Sequence, residues 1–183
     1  MCITVENRNT AKEIFDWVLS IGIAVAIGLL LVTFVGQRTI VHDVSMEPNL
    51  HEGNNLIVEK VSARFGWLHR GDIVVLDSPG EDRQLIKRLI AFAGEKVEVK
   101  DGKVFINGKE LKEKYLKEDV VTEPRVGTPQ YSNMTVPEGM VYVLGDNRPA
   151  SLDSRAFGPV DAKTVRGRAI LRFYPFNKFG KLN

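Results

Sequence analysis

The chain has 183 residues, 44% of them hydrophobic, and a formal net charge of +2. This length leaves room for one membrane anchor and one domain with its own hydrophobic core. The small positive charge does not point to a nucleic-acid partner. The one cysteine, Cys2, excludes an internal disulfide bond, and neither it nor the three histidines have the spacing of metal ligands. We therefore expect no metal and no other cofactor.

An uncharged and mostly apolar stretch runs from Trp17 to Gly36. A helix of this length reaches about 30 Å, the thickness of the hydrocarbon core of a bilayer. No Ala-x-Ala-like cleavage motif closes the stretch, so we interpret it as a retained anchor rather than a cleaved leader. We predict an N-terminal segment over residues 1–13 and a transmembrane helix over residues 14–36. A buried or interfacial helix is the alternative.

The charges that flank this stretch predict its orientation. Arg8 and Lys12 precede it, and only Arg38 closely follows it. This excess of positive charge weakly favours a cytoplasmic N-terminus. Residues 37–183 would then form a domain on the outer face of the cell membrane. The lipid bilayer is thus an expected partner, whereas the sequence does not indicate an oligomeric state.

Beyond the apolar stretch, short β-branched runs alternate with Gly, Asn, Asp and Pro, a pattern typical of an antiparallel β domain. The predicted strands are Thr39 to Val44, Asn55 to Val61, Asp72 to Leu76, Gln84 to Ala91, Lys96 to Lys100, Val104 to Asn107, Met140 to Leu144 and Val165 to Phe173. Asp101-Gly102 predicts a two-residue hairpin turn, because both positions tolerate positive φ. Residues 108–135 are polar, and we predict a small inserted β lobe over about residues 94–138.

A candidate nucleophile, Ser45, follows the apolar stretch in the block Val44-Ser45-Met46-Glu47-Pro48. A serine hydroxyl needs a neighbouring base to take its proton. No Gly-x-Ser-x-Gly motif surrounds Ser45, and the histidines lie in polar, loop-like stretches without periodic partners. The sequence therefore predicts a base other than histidine.

The candidate base lies in the apolar run Gln84 to Ile90, which contains Lys87 and Arg88. Burial in such a run lowers the pKa of a lysine and supplies a neutral amine. Both faces of the predicted strand are apolar, so periodicity does not choose between Lys87 and Arg88. Chemistry favours Lys87, because a guanidinium stays protonated and cannot act as a base.

A third block, Gly145-Asp146-Asn147-Arg148, is followed by Ser151-Leu152-Asp153-Ser154-Arg155. Each block on its own is weak, since a turn serine, a solvated Lys-Arg pair and an Asx turn are all common. In this order behind an apolar stretch, over roughly residues 14 to 175, the chain resembles a bacterial type I signal peptidase of the single-anchor form. That resemblance implies a membrane-bound serine endopeptidase that removes signal peptides from secreted preproteins after a small-x-small motif.

The resemblance also implies roles for individual residues. Ser45 would be the nucleophile, with its own backbone N–H as one oxyanion donor, and Lys87 would be the general base. Ser151 would form a hydrogen bond with the lysine. The substrate would bind as an added strand between the strand before Ser45 and the strand carrying Lys87. Residues expected to hold the site together are Asp146, Asp153 and Arg155, the last two as an ion pair. Residues expected to line the small substrate pockets are Val41, Met46, Leu50, Leu85 and Ile86.

One departure from the family pattern lies next to the nucleophile. Asp43 occupies a position where relatives carry serine or glycine beside the oxyanion hole. An ionised carboxylate cannot donate a hydrogen bond and would repel an oxyanion. Asp43 therefore keeps open one alternative function, a catalytically impaired, membrane-tethered module that binds exported chains. A second alternative, independent of Asp43, is a Ser-Lys peptidase that cleaves itself or a dedicated partner.

Overall fold

The structure is a computed structural model that describes residues 10–34 and 36–182, without the side chains of residues 10, 11 and 30–34. The predicted N-terminal segment, residues 1–13, lies mostly outside the described residues. The helices are α1 (Thr10–Phe34), α2 (Val61–Phe65) and α3 (Ser154–Phe157). The strands are β1 (Gln37–Ile40), β2 (Asn55–Glu59), β3 (Ile73–Asp77), β4 (Gln84–Phe92), β5 (Lys96–Lys100), β6 (Lys103–Ile106), β7 (Lys109–Glu110), β8 (Asn133–Thr135), β9 (Met140–Leu144), β10 (Val160–Asp161), β11 (Val165–Tyr174) and β12 (Gly180–Lys181).

Helix α1 covers the stretch predicted as a membrane anchor, and its large apolar side chains are exposed from Ile14 to Leu29. Within the described part of the chain, however, no helix has both the length and the apolar character needed to cross a membrane. The predicted transmembrane helix over residues 14–36 is therefore not found in the structure. Its C-terminal part reaches residues 30–35, which lie outside the described side chains.

Most of the domain is a mainly antiparallel β structure, as the sequence predicts. Eight strands form the first sheet in the order β1-β2-β11-β3-β4-β9-β10, with β12 paired to β11. Strand β4 lies between β3 and β9, and seven of its nine residues are buried. This position explains why its sequence is apolar on both faces, since a strand with covered faces shows no alternation. Lys87 and Arg88 consequently lie in the interior.

The register between β4 and β9 positions the third sequence block. Arg88 on β4 pairs with Leu144, the last residue of β9. The turn that begins at Gly145 therefore leaves the sheet beside the Lys87-Arg88 pair. A register shift between Leu89 and Ala91 follows on the same strand.

A second sheet, in the order β7-β6-β5-β8, is formed between residues 96 and 135. Its β5–β6 hairpin turns at Asp101 and Gly102, whose φ angles are 51° and 75°. The predicted hairpin turn is thus confirmed. Val97 and Val104 of this sheet share a buried cluster with Ile90 of β4, so the two sheets share one core region.

The first predicted strand is wrong at its C-terminal end. It was predicted over Thr39 to Val44, but β1 ends at Ile40. The chain turns because a carboxylate oxygen of Asp43 accepts the backbone N–H of Ser45, the contact that defines an Asx turn. The strand propensity of Val41 and Val44 carries no information about this local hydrogen bond.

Candidate active site

Ser45 lies in a tight turn that is held in place by two apolar side chains packed in the core. Met46 and Leu50 are completely buried and belong to a core cluster that includes residues of β2, β3, β4 and β11. The backbone N–H of Leu50 donates to the carbonyl of Met46, closing one helical turn between them. Burial of these two side chains holds the Ser45 hydroxyl at the rim of the core, where it is 5% exposed.

The hydroxyl of Ser45 contacts the amine of Lys87. Nζ of Lys87 lies 2.6 Å from Oγ of Ser45, and both groups are buried. This distance is within the range needed for proton transfer between a nucleophile and its base. The two sequence-predicted residues, one on a turn and one on a central strand, are therefore brought together.

The environment of Lys87 favours its neutral form. Its side chain is enclosed in the sheet, and burial lowers its pKa below the ordinary lysine value. The nearby carboxylates of Asp43 and Asp153 oppose this effect but do not reverse it. A lysine of lowered pKa can take a proton from a hydroxyl, which an ordinary charged lysine cannot do.

Arg88, the neighbour of Lys87, faces a different partner. Its Nε and Nη2 atoms donate to the two carboxylate oxygens of Asp146 at 2.8 and 2.7 Å, and both side chains are about 1% exposed. The guanidinium also stacks 3.8 Å from the ring centre of Tyr115. Arg88 is thus fully engaged in a buried ion pair, which leaves Lys87 as the basic side chain that faces Ser45.

Ser151 is completely buried beside the site, but the expected hydrogen bond to Lys87 is not formed. Among the described residues, its hydroxyl has no hydrogen-bond partner. The hydroxyl instead packs against Gly145, where an added Cβ would lie 2.5 Å from Cβ of Ser151 and 2.5 Å from the carbonyl oxygen of Ser45. Glycine at position 145 therefore allows the third block to approach the nucleophile closely.

Asp153 and Arg155 form the expected ion pair. Nε and Nη2 of Arg155 donate to the Asp153 carboxylate at 2.9 and 2.8 Å. The same carboxylate accepts the backbone N–H of Gly145 and caps helix α3. Because Asp153 contacts the segment next to Ser45, this pair stabilises the position of the third block rather than the reacting atoms.

An open cavity of about 900 Å³ lies between β1 and the start of β4 and reaches Asp43, but neither Ser45 nor Lys87 lines it. Val41 and Ile86 line it, as do Asp43 and several other charged residues. The other three predicted pocket residues do not line this cavity. Met46 and Leu50 are buried in the core behind it, and Leu85 packs in a separate cluster on the other side of β4.

Sequence reasoning missed two asparagines that contact the site. Nδ2 of Asn49 donates to Asp146 at 2.7 Å and to the carbonyl of Tyr115 at 2.8 Å. Asn147 donates from its side chain to the carbonyl of Val44 at 3.1 Å. Asn49 directly follows the first block and Asn147 lies in the third, and this closeness to the candidate residues was the available signal.

The polar segment between β7 and β8 contributes partners rather than candidate catalytic groups. Arg148 of the third block pairs with Glu113, and Arg155 donates to the carbonyl of Glu123. Arg125 donates in turn to the carbonyl of Ser151. These contacts join residues 111–128, here called the polar excursion, to the wall of the site.

The described residues contain no group of three or more His, Cys, Asp or Glu side chains that could hold a metal ion. The groups present are a hydroxyl and a buried amine of lowered pKa, and an open cavity reaches Asp43, two residues before the hydroxyl. This combination is that of a serine hydrolase in which an amine replaces the usual imidazole.

Comparison with known proteins gives the particular family. The model of the signal peptidase family, peptidase S26, matches residues 14–174. Signal peptidase I of Bacillus licheniformis is 39% identical over 96% of this chain and 97% of its own length. Signal peptidase IB of Staphylococcus aureus is 34% identical over 92% of this chain and 93% of its own length. The chain belongs to the signal peptidase family, peptidase S26, and is a serine endopeptidase.

A solved structure is also similar. The crystal structure of a signal peptidase I from Enterococcus faecalis is 41% identical in sequence and has a TM-score of 0.48. It covers 55% of this chain and 95% of the crystallised one.

Proposed function

We propose that this endopeptidase removes N-terminal signal peptides from secreted preproteins, with Ser45 as nucleophile and Lys87 as general base. The observation that carries the proposal is the 2.6 Å contact between Oγ of Ser45 and Nζ of a buried Lys87. The substrate class comes from the family, whose bacterial members named above are signal peptidases.

The reaction proceeds by acyl transfer through Ser45. Oγ of Ser45 attacks the scissile carbonyl, its proton passes to Nζ of Lys87, and the carbonyl electron pair moves to the oxygen. Lys87 then returns the proton to the leaving amine, the C–N bond breaks and an acyl-enzyme forms. Water activated by the same amine releases the signal peptide. Asp146, Asp153 and Arg155 keep the two sides of the site in place, and Ser151 packs beside them.

The cavity between β1 and β4, which reaches Asp43 two residues before Ser45, supports a strand-like mode of substrate binding. It lies along the free edge of β1 and reaches β4, so an extended peptide can add to that edge through backbone hydrogen bonds. Val41 and Ile86 offer a shallow apolar wall, which suits the small side chains of a small-x-small site. Met46 and Leu50 pack in the same core cluster as these two residues and so fix the position of that wall, whereas Leu85 packs in a separate cluster.

Membrane attachment is part of the proposal. Bacterial relatives of this type are membrane-associated, and the exposed apolar side chains of α1 support a similar role here. Arg8 and Lys12 before the apolar stretch favour a cytoplasmic N-terminus and an extracytoplasmic peptidase domain over residues 37–183. Enzyme and tethered preprotein would then meet in one plane, which raises their effective concentration.

The test is cleavage of a purified preprotein by the full chain in detergent, with the new N-terminus sequenced. The wild type should cut after a small-x-small site, and Ser45→Ala and Lys87→Met should each lose at least about 10³-fold in kcat/KM. Lys109→Met is the matched control, because Lys109 is exposed on β7 of the second sheet. Retained cleavage in Ser45→Ala, or equal loss in Lys109→Met, would contradict the assignment.

A specific contact favours one second candidate, the impaired module that binds exported chains. The Asp43 carboxylate occupies the backbone N–H of Ser45 that the oxyanion would need. If folded wild type binds a preprotein but leaves it intact, this candidate replaces the peptidase.

A further inference from the structure

The contact between Asp43 and Ser45 uses the group that acyl transfer requires. The backbone N–H of Ser45 donates to Oδ1 of Asp43 at 2.9 Å. A tetrahedral intermediate on Oγ of Ser45 carries its negative oxygen next to this N–H, where a preorganised donor contributes strongly to the rate. In the free enzyme that donor is therefore already occupied by an anion.

The Asp43 carboxylate remains charged at neutral pH. Burial raises its pKa, but the hydrogen bonds from Ser45, together with the positive charges of Arg83 and of Lys87 in its protonated form, outweigh burial, so that the net pKa is lowered. Protonation therefore does not release the N–H under ordinary conditions. The side chain has to move, and the open cavity that it lines provides the space.

Two basic side chains act on the carboxylate of Asp43. They are Lys87 of β4, in its protonated form, and Arg83 in the preceding loop. Arg83 lines the same cavity and is exposed, and its guanidinium pairs with Glu81. The other charged residues that line the cavity are Arg38, Arg166, Asp77, Glu81 and Asp82.

We propose that Asp43 is a latch on the oxyanion site: its carboxylate holds the backbone N–H of Ser45 in the free enzyme and leaves it when the substrate strand enters. The inference rests on the proposed function, because it concerns the same acyl transfer. In the intermediate the bond from Oγ of Ser45 to the carbonyl carbon has formed, and the proton is on Lys87. The carbonyl oxygen carries the electron pair and takes the place of the Asp43 carboxylate.

Asp43 has a second effect, which acts through Lys87. Its negative charge raises the pKa of Lys87 against the lowering by burial. Removal of the charge should lower that pKa further, so that the neutral amine is present at lower pH. A latch of this kind therefore affects both the oxyanion donor and the protonation state of the base.

A merely structural role is the rival explanation, since Asp43 also forms an Asx turn. Two substitutions separate the explanations. Asp43→Asn keeps a side-chain acceptor for the turn and removes the charge, whereas Asp43→Gly removes both. Asp119→Asn, in an exposed turn of the polar excursion, is the matched control for the loss of one aspartate charge.

The experiment measures the single-turnover rate of preprotein cleavage against pH, together with the affinity of a peptide aldehyde that forms a tetrahedral adduct with serine. We expect Asp43→Gly to cleave about tenfold faster than wild type, equivalent to one charge-assisted hydrogen bond, and Asp43→Asn to be intermediate. Both should reach half-maximal rate at lower pH and bind the aldehyde more tightly, with Asp119→Asn unchanged.

The latch is wrong if a folded Asp43→Asn variant cleaves the preprotein no faster than wild type, or if the pH profile of its cleavage rate is not shifted. If Asp43→Gly does not fold, the results for Asp43→Asn alone decide between the latch and a merely structural role. If no variant cleaves a preprotein while aldehyde affinity still rises in the Asp43 variants, the latch stands and the proposed substrate class fails. If aldehyde affinity is unchanged, the latch fails whatever the cleavage result.

Discussion

The backbone N–H of Asn147 donates a 2.9 Å hydrogen bond to the carbonyl oxygen of Ser45. This contact ties the turn that follows β9 directly to the candidate nucleophile. Since the side chain of Asn147 also contacts the carbonyl of Val44, the turn holds two successive peptide units. The position of Oγ of Ser45 therefore depends on how closely residues 145–147 can approach.

Gly145→Ala should disturb this approach. The new Cβ would lie 2.5 Å from the carbonyl oxygen of Ser45 and 2.5 Å from Cβ of Ser151, distances that force the backbone apart. We expect a loss of at least about 100-fold in kcat/KM, because small displacements of catalytic groups have large effects on rate. Cleavage assays on the purified variant provide the measurement. Gly180→Ala, which has open space around its Cβ, should keep the wild-type rate, and a fully active Gly145→Ala would contradict the packing described here.

The rate should depend on pH through Lys87. Burial lowers the pKa of this amine, and the neutral form is the active one, so kcat/KM should rise as pH increases through the lowered pKa. The half-maximal rate should be reached below about pH 10.4, the value for an unperturbed lysine. A pH profile of preprotein cleavage measures this directly. A flat profile across the neutral to alkaline range would argue against lysine as the base.

Lys87 should also influence stability with a definite sign. Because its pKa is lower in the folded state, the unfolded chain binds more protons between the folded and unfolded pKa values. The free energy of unfolding should therefore rise with pH in that window. Lys87→Met should remove this rise and be at least as stable as wild type at neutral pH, because an apolar side chain suits the buried position. Urea unfolding at several pH values tests this, and a strongly destabilised Lys87→Met would be inconsistent with a neutral buried amine.

Ser151→Ala should affect the enzyme only moderately. The buried hydroxyl has no hydrogen-bond partner among the described residues, so its removal leaves no further group unpaired. We expect the free energy of unfolding to change by less than about 1 kcal/mol. Activity should fall by roughly tenfold or less, because only the packing of this hydroxyl against Gly145 is lost. Steady-state kinetics and urea unfolding provide the two measurements, and complete inactivation would show a more direct role.

Asp146→Asn should destabilise the fold strongly. It removes the charge that compensates the buried guanidinium of Arg88, and breaking a buried pair in this way costs about 3–5 kcal/mol. Asp77→Asn removes the same charge from the pair with Arg166, in which the arginine side chain is 58% exposed. That change should cost less than about 1 kcal/mol. Denaturant unfolding of both variants makes the comparison, and equal losses would contradict it.

The sequence predicts the chemistry of this site better than its packing. Ser45 and Lys87 could be selected because an amine, unlike a guanidinium, can lose its proton, and the structure places them in contact. Which of Lys87 and Arg88 faces the serine could not be read from periodicity, because β4 is covered on both faces. The register of β4 against β9 decides it, and register is a tertiary property.

Other misses have related physical causes. The lack of a hydrogen-bond partner for the Ser151 hydroxyl and the side of β4 on which Leu85 packs both depend on contacts between segments distant in the chain. Local sequence patterns do not encode such contacts. Strands β7, β8, β10 and β12 have only two or three residues, too few for an alternating pattern. The sequence places Asp43 close to Ser45 in the chain. It does not show that the Asp43 carboxylate turns toward the backbone N–H of Ser45, since the same side chain could have faced solvent.

The polar excursion has a consequence for how the protein can be engineered. Glu113 and the backbone of Glu123 accept hydrogen bonds from the two arginines of the third block, Arg148 and Arg155. In a chimaera that received residues 111–128 from a relative, the groups that accept hydrogen bonds from Arg148 and Arg155 would change. The third block could then shift even though every reacting group is retained. Grafting experiments should treat the excursion and the third block as one exchangeable unit.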